Sequence, residues 1–294
     1  MHSYVLSCSS AADLTPELLH ESNIHYIPFT IKLDGRDIVD NMGGDITPDV
    51  FYKKLSDGSQ AVTRPITEAE YTEYFRQFLE DSRDIIHVSL SSVLSGCYNE
   101  AVKAAKKLRE EYHNRNIEVI DSYSASSGYG MFMLMAAEKR DEGIGFYELT
   151  SWIEEHRLNI SNTFYTTDLS YLVRGGRLSK TAAAFGHMFN LYPVMNMDHH
   201  GNFEIMERIK GRDKIEVRLA EIMKKEALNE ADYSGPCFVC DSNREYGEML
   251  ADAVEQAFPQ LKGRIKKFSF GCAIGTHVGP DAAALFFVGK KRIE

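Results

Sequence analysis

Short apolar runs alternate with amphipathic stretches through the first half of the chain. Tyr4-Val-Leu-Ser7 reads as a strand, residues 15–21 as a helix, and residues 24–29 and 30–33 as two short strands. Thr47-Pro48 opens a second helix, with a capping threonine and a proline at the first helical position. Thr67 opens a third, and Glu70 three residues later completes a capping box. Residues 84–90 and 116–121 read as strands. Between them, residues 96–112 place Ala101, Ala104, Ala105 and Leu108 on one helical face. An apolar helix over 126–139 follows. Strands that alternate with helices predict a parallel sheet covered by helices. Ligands of such sheets sit beyond the carboxyl ends of the strands. The loops expected there, residues 7–10, 89–96 and 121–127, are all rich in hydroxyls.

After about residue 160 the texture changes. Tyr192-Pro-Val-Met-Asn-Met197 and Phe203-Glu-Ile-Met-Glu-Arg208 flank His199-His-Gly-Asn202, the pattern of a hairpin around a glycine turn. Residues 237–240, 266–270 and 284–288 read as further strands. The expected fold class is therefore α/β with two domains. A Rossmann-like parallel-sheet domain spans about 1–160 and an α+β domain spans about 161–294. There are no internal repeats or long linkers, so the two should pack closely.

At 294 residues the chain can bury a large core, and its formal net charge of −10 argues against a broad nucleic-acid footprint. No apolar run is long enough to cross a bilayer. Met1-His-Ser-Tyr-Val-Leu-Ser lacks the basic and apolar regions of a signal peptide, so a cytoplasmic location is expected. Five cysteines do not suggest a disulfide framework. Cys237 and Cys240 have metal-type spacing, but they lie in a strand-like run whose alternation sends the thiols to opposite faces. No metal and no cofactor are expected.

The candidate chemistry lies in two glycine-flanked segments, Arg174-Gly-Gly-Arg-Leu-Ser-Lys180 and Gly275-Thr-His-Val-Gly-Pro280. Arg177 offers a planar fork of donors for a carboxylate or phosphate, and His277 an imidazole that donates or accepts. Read blandly, the two are tight turns with a surface arginine and a turn histidine. Ser91-Ser-Val-Leu-Ser-Gly96 follows a strand and opens a helix, so free N–H groups and hydroxyls there can hold an anion. Ser92 or Ser95 can equally cap that helix. Thr63-Arg-Pro65, taken alone, is a loop. There is no nucleophile elbow, Walker loop or dinucleotide fingerprint. Phe164, Tyr165, Tyr171, Phe185, Met188, Phe189, Tyr192, Met195 and Met197 are mostly core, though some could line a flexible apolar cavity.

In order along nearly the whole chain, these segments resemble the DegV family of fatty-acid-binding proteins. The resemblance rests on Ser9-Ser-Ala-Ala-Asp-Leu14, Thr63-Arg-Pro65, Leu90-Ser-Ser-Val-Leu-Ser-Gly-Cys-Tyr98 and Val119-Ile-Asp-Ser-Tyr-Ser-Ala-Ser126. Its most specific stretch is Asp168-Leu-Ser-Tyr-Leu-Val-Arg-Gly-Gly-Arg-Leu-Ser-Lys180, continued by Pro193 and Lys210-Gly-Arg212, and Ile274-Gly-Thr-His-Val-Gly-Pro280 closes the set. It implies a protein that holds one long-chain fatty acid between its domains. A separate ATP-dependent fatty acid kinase subunit would phosphorylate the presented carboxylate, so no catalysis by this chain is expected. The implied carboxylate contacts are Thr63, Ser92, Ser95, Arg177 and His277, with Ser10, Ser91, Gly96, Gly275 and Thr276 in supporting loops. Arg174, Lys180, Lys210 and Arg212 are candidates for a basic docking patch. The sequence departs from the family pattern at Ser9, Val62, Arg64 and Cys97, positions that bear on head-group binding and ligand preference. A serine/histidine-dependent acyl-ester hydrolase or transferase, and a carrier of another apolar ligand, are the alternative readings.

Overall fold

The computed structural model describes residues 4–179, 181 and 190–293. Strands β1 (Tyr4–Ser9), β2 (Ile24–Ile27), β6 (Asp84–Ser89) and β7 (Ile117–Asp121) form a parallel sheet in the order β2-β1-β6-β7. Every residue of β1 is buried, as expected for a parallel strand covered on both faces. The expected helices are present: α1 (Pro16–Glu21), α2 (Pro48–Ser56), α3 (Glu68–Glu80), α4 (Cys97–Glu111) and α5 (Ser126–Asp141), followed by α6 (Phe146–His156). Thr67 and Glu70 make the reciprocal capping box at the start of α3.

A small antiparallel sheet departs from the single parallel sheet that alternation predicts. Pro28 carries no N–H to donate, and it separates β2 from β3 (Phe29–Leu33). The chain then turns through Asp34 and Gly35, both at positive φ, into β4 (Arg36–Asp40). β3 also pairs with β5 (Ala61–Arg64), opposing Ile31 to Thr63. Thr63 thus lies on a strand and not in a loop.

The second sheet is mixed and six-stranded. Its members are β8 (Ile160–Thr166), β9 (Leu191–Met197), β10 (Phe203–Lys210), β11 (Cys237–Asp241), β12 (Lys266–Ser269) and β13 (Ala282–Val288), in the order β10-β9-β8-β13-β11-β12. The hairpin expected around the glycine turn is β9–β10, with a bulge between Ile205 and Glu207. β8 escapes sequence reading because Ser161, Asn162 and Thr163 interrupt any apolar pattern, yet all seven of its residues are buried.

Side-chain alternation gives the second sheet two different faces. On β13, Ala282, Ala284 and Phe286 join the core shared with the parallel-sheet domain. Ala283, Leu285 and Phe287 join a separate core built with helices Ile215–Glu226 and Arg244–Ala257. Cys240 faces the first core and Cys237 the second, so their spacing cannot make a shared site. α5, buried along most of its length, lies between the two sheets.

Candidate functional site

The shared face of the second sheet does not close completely against the first domain. A cavity of about 270 Å³ remains between them. Phe164, Met197, Phe203, Ala284 and Phe286 line it from the second sheet, and Ala11, Phe29, Leu90, Leu94 and Ala125 from the first domain. Phe164 and Phe203 pack against each other with ring centroids 4.9 Å apart. The polar atoms deep in this lining are already bonded. Asn162 Oδ1 accepts from Ser124 Oγ at 2.6 Å, and Ser126 Oγ donates to Asp13 at 2.6 Å. The walls therefore present mainly hydrocarbon.

Thr63, Ser95, Arg177 and His277 all line the same cavity, although about a hundred residues separate the two glycine-flanked segments. His277 belongs to helix Cys272–Val278 and not to a turn. Its Nε2 lies 2.9 Å from Thr63 Oγ1, which bridges the second half of the chain to β5. Nδ1 is buried and has no partner among the described residues. Burial, reinforced by the Arg177 charge, pushes the His277 pKa down to about 3, so the ring is neutral at ordinary pH. An orphaned buried N–H is rarer than an orphaned lone pair. With the proton on Nε2, Thr63 Oγ1 is the acceptor and the threonine hydroxyl hydrogen stays free to donate.

Arg177 is partly buried behind helix α7 (Ser170–Arg174). Its Nε donates to Leu94 O at 2.8 Å and its Nη1 to Gly175 O. Two backbone carbonyls thus orient the guanidinium, and among the described residues Nη2 has no partner. Desolvation lowers the Arg177 pKa without threatening its charge.

The remaining predicted residues divide by role. Ser95 Oγ lines the cavity and accepts from the first helical amide of α4, Cys97 N, at 3.3 Å. Ser92 does not line the cavity; its amide donates to Asp121 at 3.1 Å. Ser91 Oγ donates to Gly201 O at 3.0 Å and so ties the loop to the tip of the β9–β10 hairpin. Ser10 Oγ accepts from Phe29 N, and Thr276 Oγ1 donates to Cys272 O. Gly96 caps α4 through its backbone. Gly275 has no Cβ where the Tyr52 ring lies, so helix Cys272–Val278 sits close against α2.

Sequence reading missed the residues that hold this helix. Asp40, at the end of β4, accepts from Cys272 N at 3.3 Å and Ala273 N at 2.9 Å, capping it from another part of the chain. Asp13 accepts from Gly271 N at 3.0 Å. Both carboxyls are buried, and desolvation raises their pKa values despite these bonds. Only Asp13 carried a signal, as the aspartate of the first quoted motif.

Comparison with known proteins decides the family. The model described as "Uncharacterised protein, DegV family" matches residues 8–290. The chain belongs to the DegV family. A DegV domain-containing protein of Clostridium perfringens is 30% identical over 293 residues, covering 99% of each chain. Two solved structures share the fold. One is a stearic acid-binding protein from Eubacterium ventriosum, with TM-score 0.85, 24% identity and coverage of 96% and 97%. The other is a DegV family protein from Thermus thermophilus described by its fatty acid binding, with TM-score 0.82, 23% identity and coverage of 99% and 100%.

The departures from the DegV pattern have distinct surroundings. Ser9 donates its amide to Tyr129 in the core. Val62 is 63% exposed beside Thr63. Arg64 reaches the cavity lining, but its guanidinium forms a two-pronged pair with Glu70 at 2.7 and 2.8 Å. That pair holds the Glu70 pKa down at about 2 and engages both terminal nitrogens of Arg64. Cys97 Sγ, buried, accepts from Ile66 N at 3.2 Å. Of the basic docking candidates, Arg212 pairs with Glu216 at 2.6 Å and stacks over Tyr246. Arg174 stacks on Tyr171, Lys210 is exposed, and Lys180 lies outside the described residues, as do Phe185, Met188 and Phe189. Among the described residues no helix is long and apolar enough to cross a membrane, and no cluster of three or more His, Cys, Asp or Glu could hold a metal.

Proposed function

We propose that the protein binds one long-chain fatty acid in this cavity, between domains spanning 1–160 and 161–294, and presents its carboxylate to a separate ATP-dependent kinase. The observation that carries this reading is an apolar cavity with convergent donors: Arg177, the Thr63–His277 pair and Ser95. An acyl tail gains about 0.8 kcal/mol per buried CH₂. A buried carboxylate needs charged or hydrogen-bonding partners, and Arg177 with the free Thr63 hydroxyl hydrogen supplies both. Fatty acid binding by related DegV proteins supports the same choice.

The chain itself is not expected to catalyse. A serine nucleophile would need His277 as its base, but His277 Nε2 is bonded to Thr63 and its Nδ1 to nothing among the described residues. Mass spectrometry of an organic extract of the purified protein tests the binding reading. About one fatty acid per chain is the expected result for a preformed single site. A sterol or retinoid in its place would move the assignment to another apolar ligand. Ester turnover by the isolated protein, abolished in His277→Ala, would overturn it in favour of an enzyme.

A further inference from the structure

The two glycines of Arg174-Gly-Gly-Arg177 meet different demands. Gly176 has φ +74° and open space where a Cβ would stand, so it is glycine for backbone reasons. Gly175 has φ −72° and ψ −9°, a conformation any residue adopts. A Cβ at Gly175 would nevertheless collide with His277 Nδ1, lie 3.0 Å from its Cε1 and lie 3.2 Å from Tyr171 O.

The imidazole has little room to retreat. Its Nε2 is bonded to Thr63, Asp40 caps the start of its helix, and Gly275 seats that helix against Tyr52. The polar groups of Gly175 are also committed. Its N–H donates to Tyr171 O at 2.9 Å, and its carbonyl accepts from Arg177 Nη1. Nδ1 therefore faces a bare backbone carbon and finds no hydrogen-bond partner among the described residues.

We propose that Gly175 is a positioning residue for the head-group end of the cavity. Its missing side chain admits His277 and holds the ring as the Nε2–H tautomer, which makes Thr63 a donor toward the ligand, while its carbonyl aims Arg177. The assignment rests on the fatty-acid reading for the identity of the ligand, but not for the state of the imidazole.

The test uses the delipidated full-length protein with stearate as probe, and compares wild type, Gly175→Ala, His277→Ala and the double variant. Loss of one hydrogen bond to a carboxylate should weaken stearate binding about tenfold in Gly175→Ala. Because the effect acts through His277, the double variant should bind within about twofold of His277→Ala alone. In parallel, ¹⁵N NMR of the imidazole should show His277 as the Nε2–H tautomer in wild type and displaced in Gly175→Ala. A double variant that loses the product of the two single effects would overturn the proposal, as would an Nδ1–H tautomer in wild type. Should Gly175→Ala fold poorly, the wild-type spectrum and His277→Ala still decide the tautomer. If wild type does not bind stearate, the fatty-acid reading fails, and the imidazole spectra alone judge Gly175.

Discussion

His87 and His277 are in matching chemical situations at two places in the fold. His87 is buried and His277 half-buried, and each imidazole has one nitrogen 2.9 Å from a hydroxyl, Ser7 or Thr63, and the other buried without a partner among the described residues. Burial pushes both pKa values down to about 3. Around His87, however, stand Tyr71 and Phe75, and its hydroxyl partner Ser7 continues to Tyr74. Around His277 stand an arginine and a cavity. A perturbed histidine is thus no marker of a site by itself. What differs is whether the hydroxyl it orients faces packed protein or empty space. We therefore read His87 as a core residue and His277 as part of a binding site, and five substitutions test that division.

The largest effect should come from the core member. His87→Ala removes a fully buried side chain and its bond to Ser7, and should lower unfolding stability by on the order of 3 kcal/mol in denaturant titration. Stearate affinity of the folded fraction should be unchanged; a large affinity loss would erase the distinction. The same residue predicts a pH response. Its pKa falls from 6.5 in the unfolded chain to about 3 in the folded one. The folded protein therefore refuses a proton that the unfolded chain takes up. This contribution is complete above pH 6.5 and is lost as pH falls toward 3, by about 2 kcal/mol at pH 5. His87→Gln should lessen the slope of stability between pH 7 and 5, His277 keeping its own similar share; an identical slope would show that the His87 ring is not held neutral.

At the cavity, Arg177→Ala should leave thermal stability nearly intact while weakening stearate about 10- to 100-fold, the range for a charge-assisted bond. Isothermal titration measures it, and unchanged affinity would remove the arginine from the head-group role. The smallest effect separates two serines that the sequence could not rank. Ser95→Ala should cost about threefold to tenfold in stearate affinity, and Ser92→Ala less than about twofold, since only Ser95 lines the cavity. The reverse order would relocate the carboxylate toward the Asp121 loop.

Much of the first domain was legible because its signals are local. Pro48, the Thr67/Glu70 box and the alanine face of α4 act within a turn or two of helix. The small antiparallel sheet was not, because Arg36–Asp40 and Ala61–Arg64 become strands only by pairing with β3. β8 was hidden for the opposite reason: its buried polar side chains are satisfied by neighbours from elsewhere in the chain, as Asn162 is by Ser124. At the site, motif residues were recognisable, but their partners were backbone atoms such as Leu94 O and Gly175 O, which leave no trace in residue type.

The sequence by itself determined the family, the helix starts, the alternation that separates Cys237 from Cys240, and the candidate residues Thr63, Ser95, Arg177 and His277. These follow from local periodicity and short motifs, where neighbouring residues supply the physics. Tertiary structure alone decided that Ser95 and not Ser92 lines the cavity, that Arg64 is claimed by Glu70, that Asp40 caps the helix carrying His277, and that Gly175 must lack a side chain. Each of these depends on groups brought together by the packing of distant segments, and no property of either residue alone reveals who its neighbour will be.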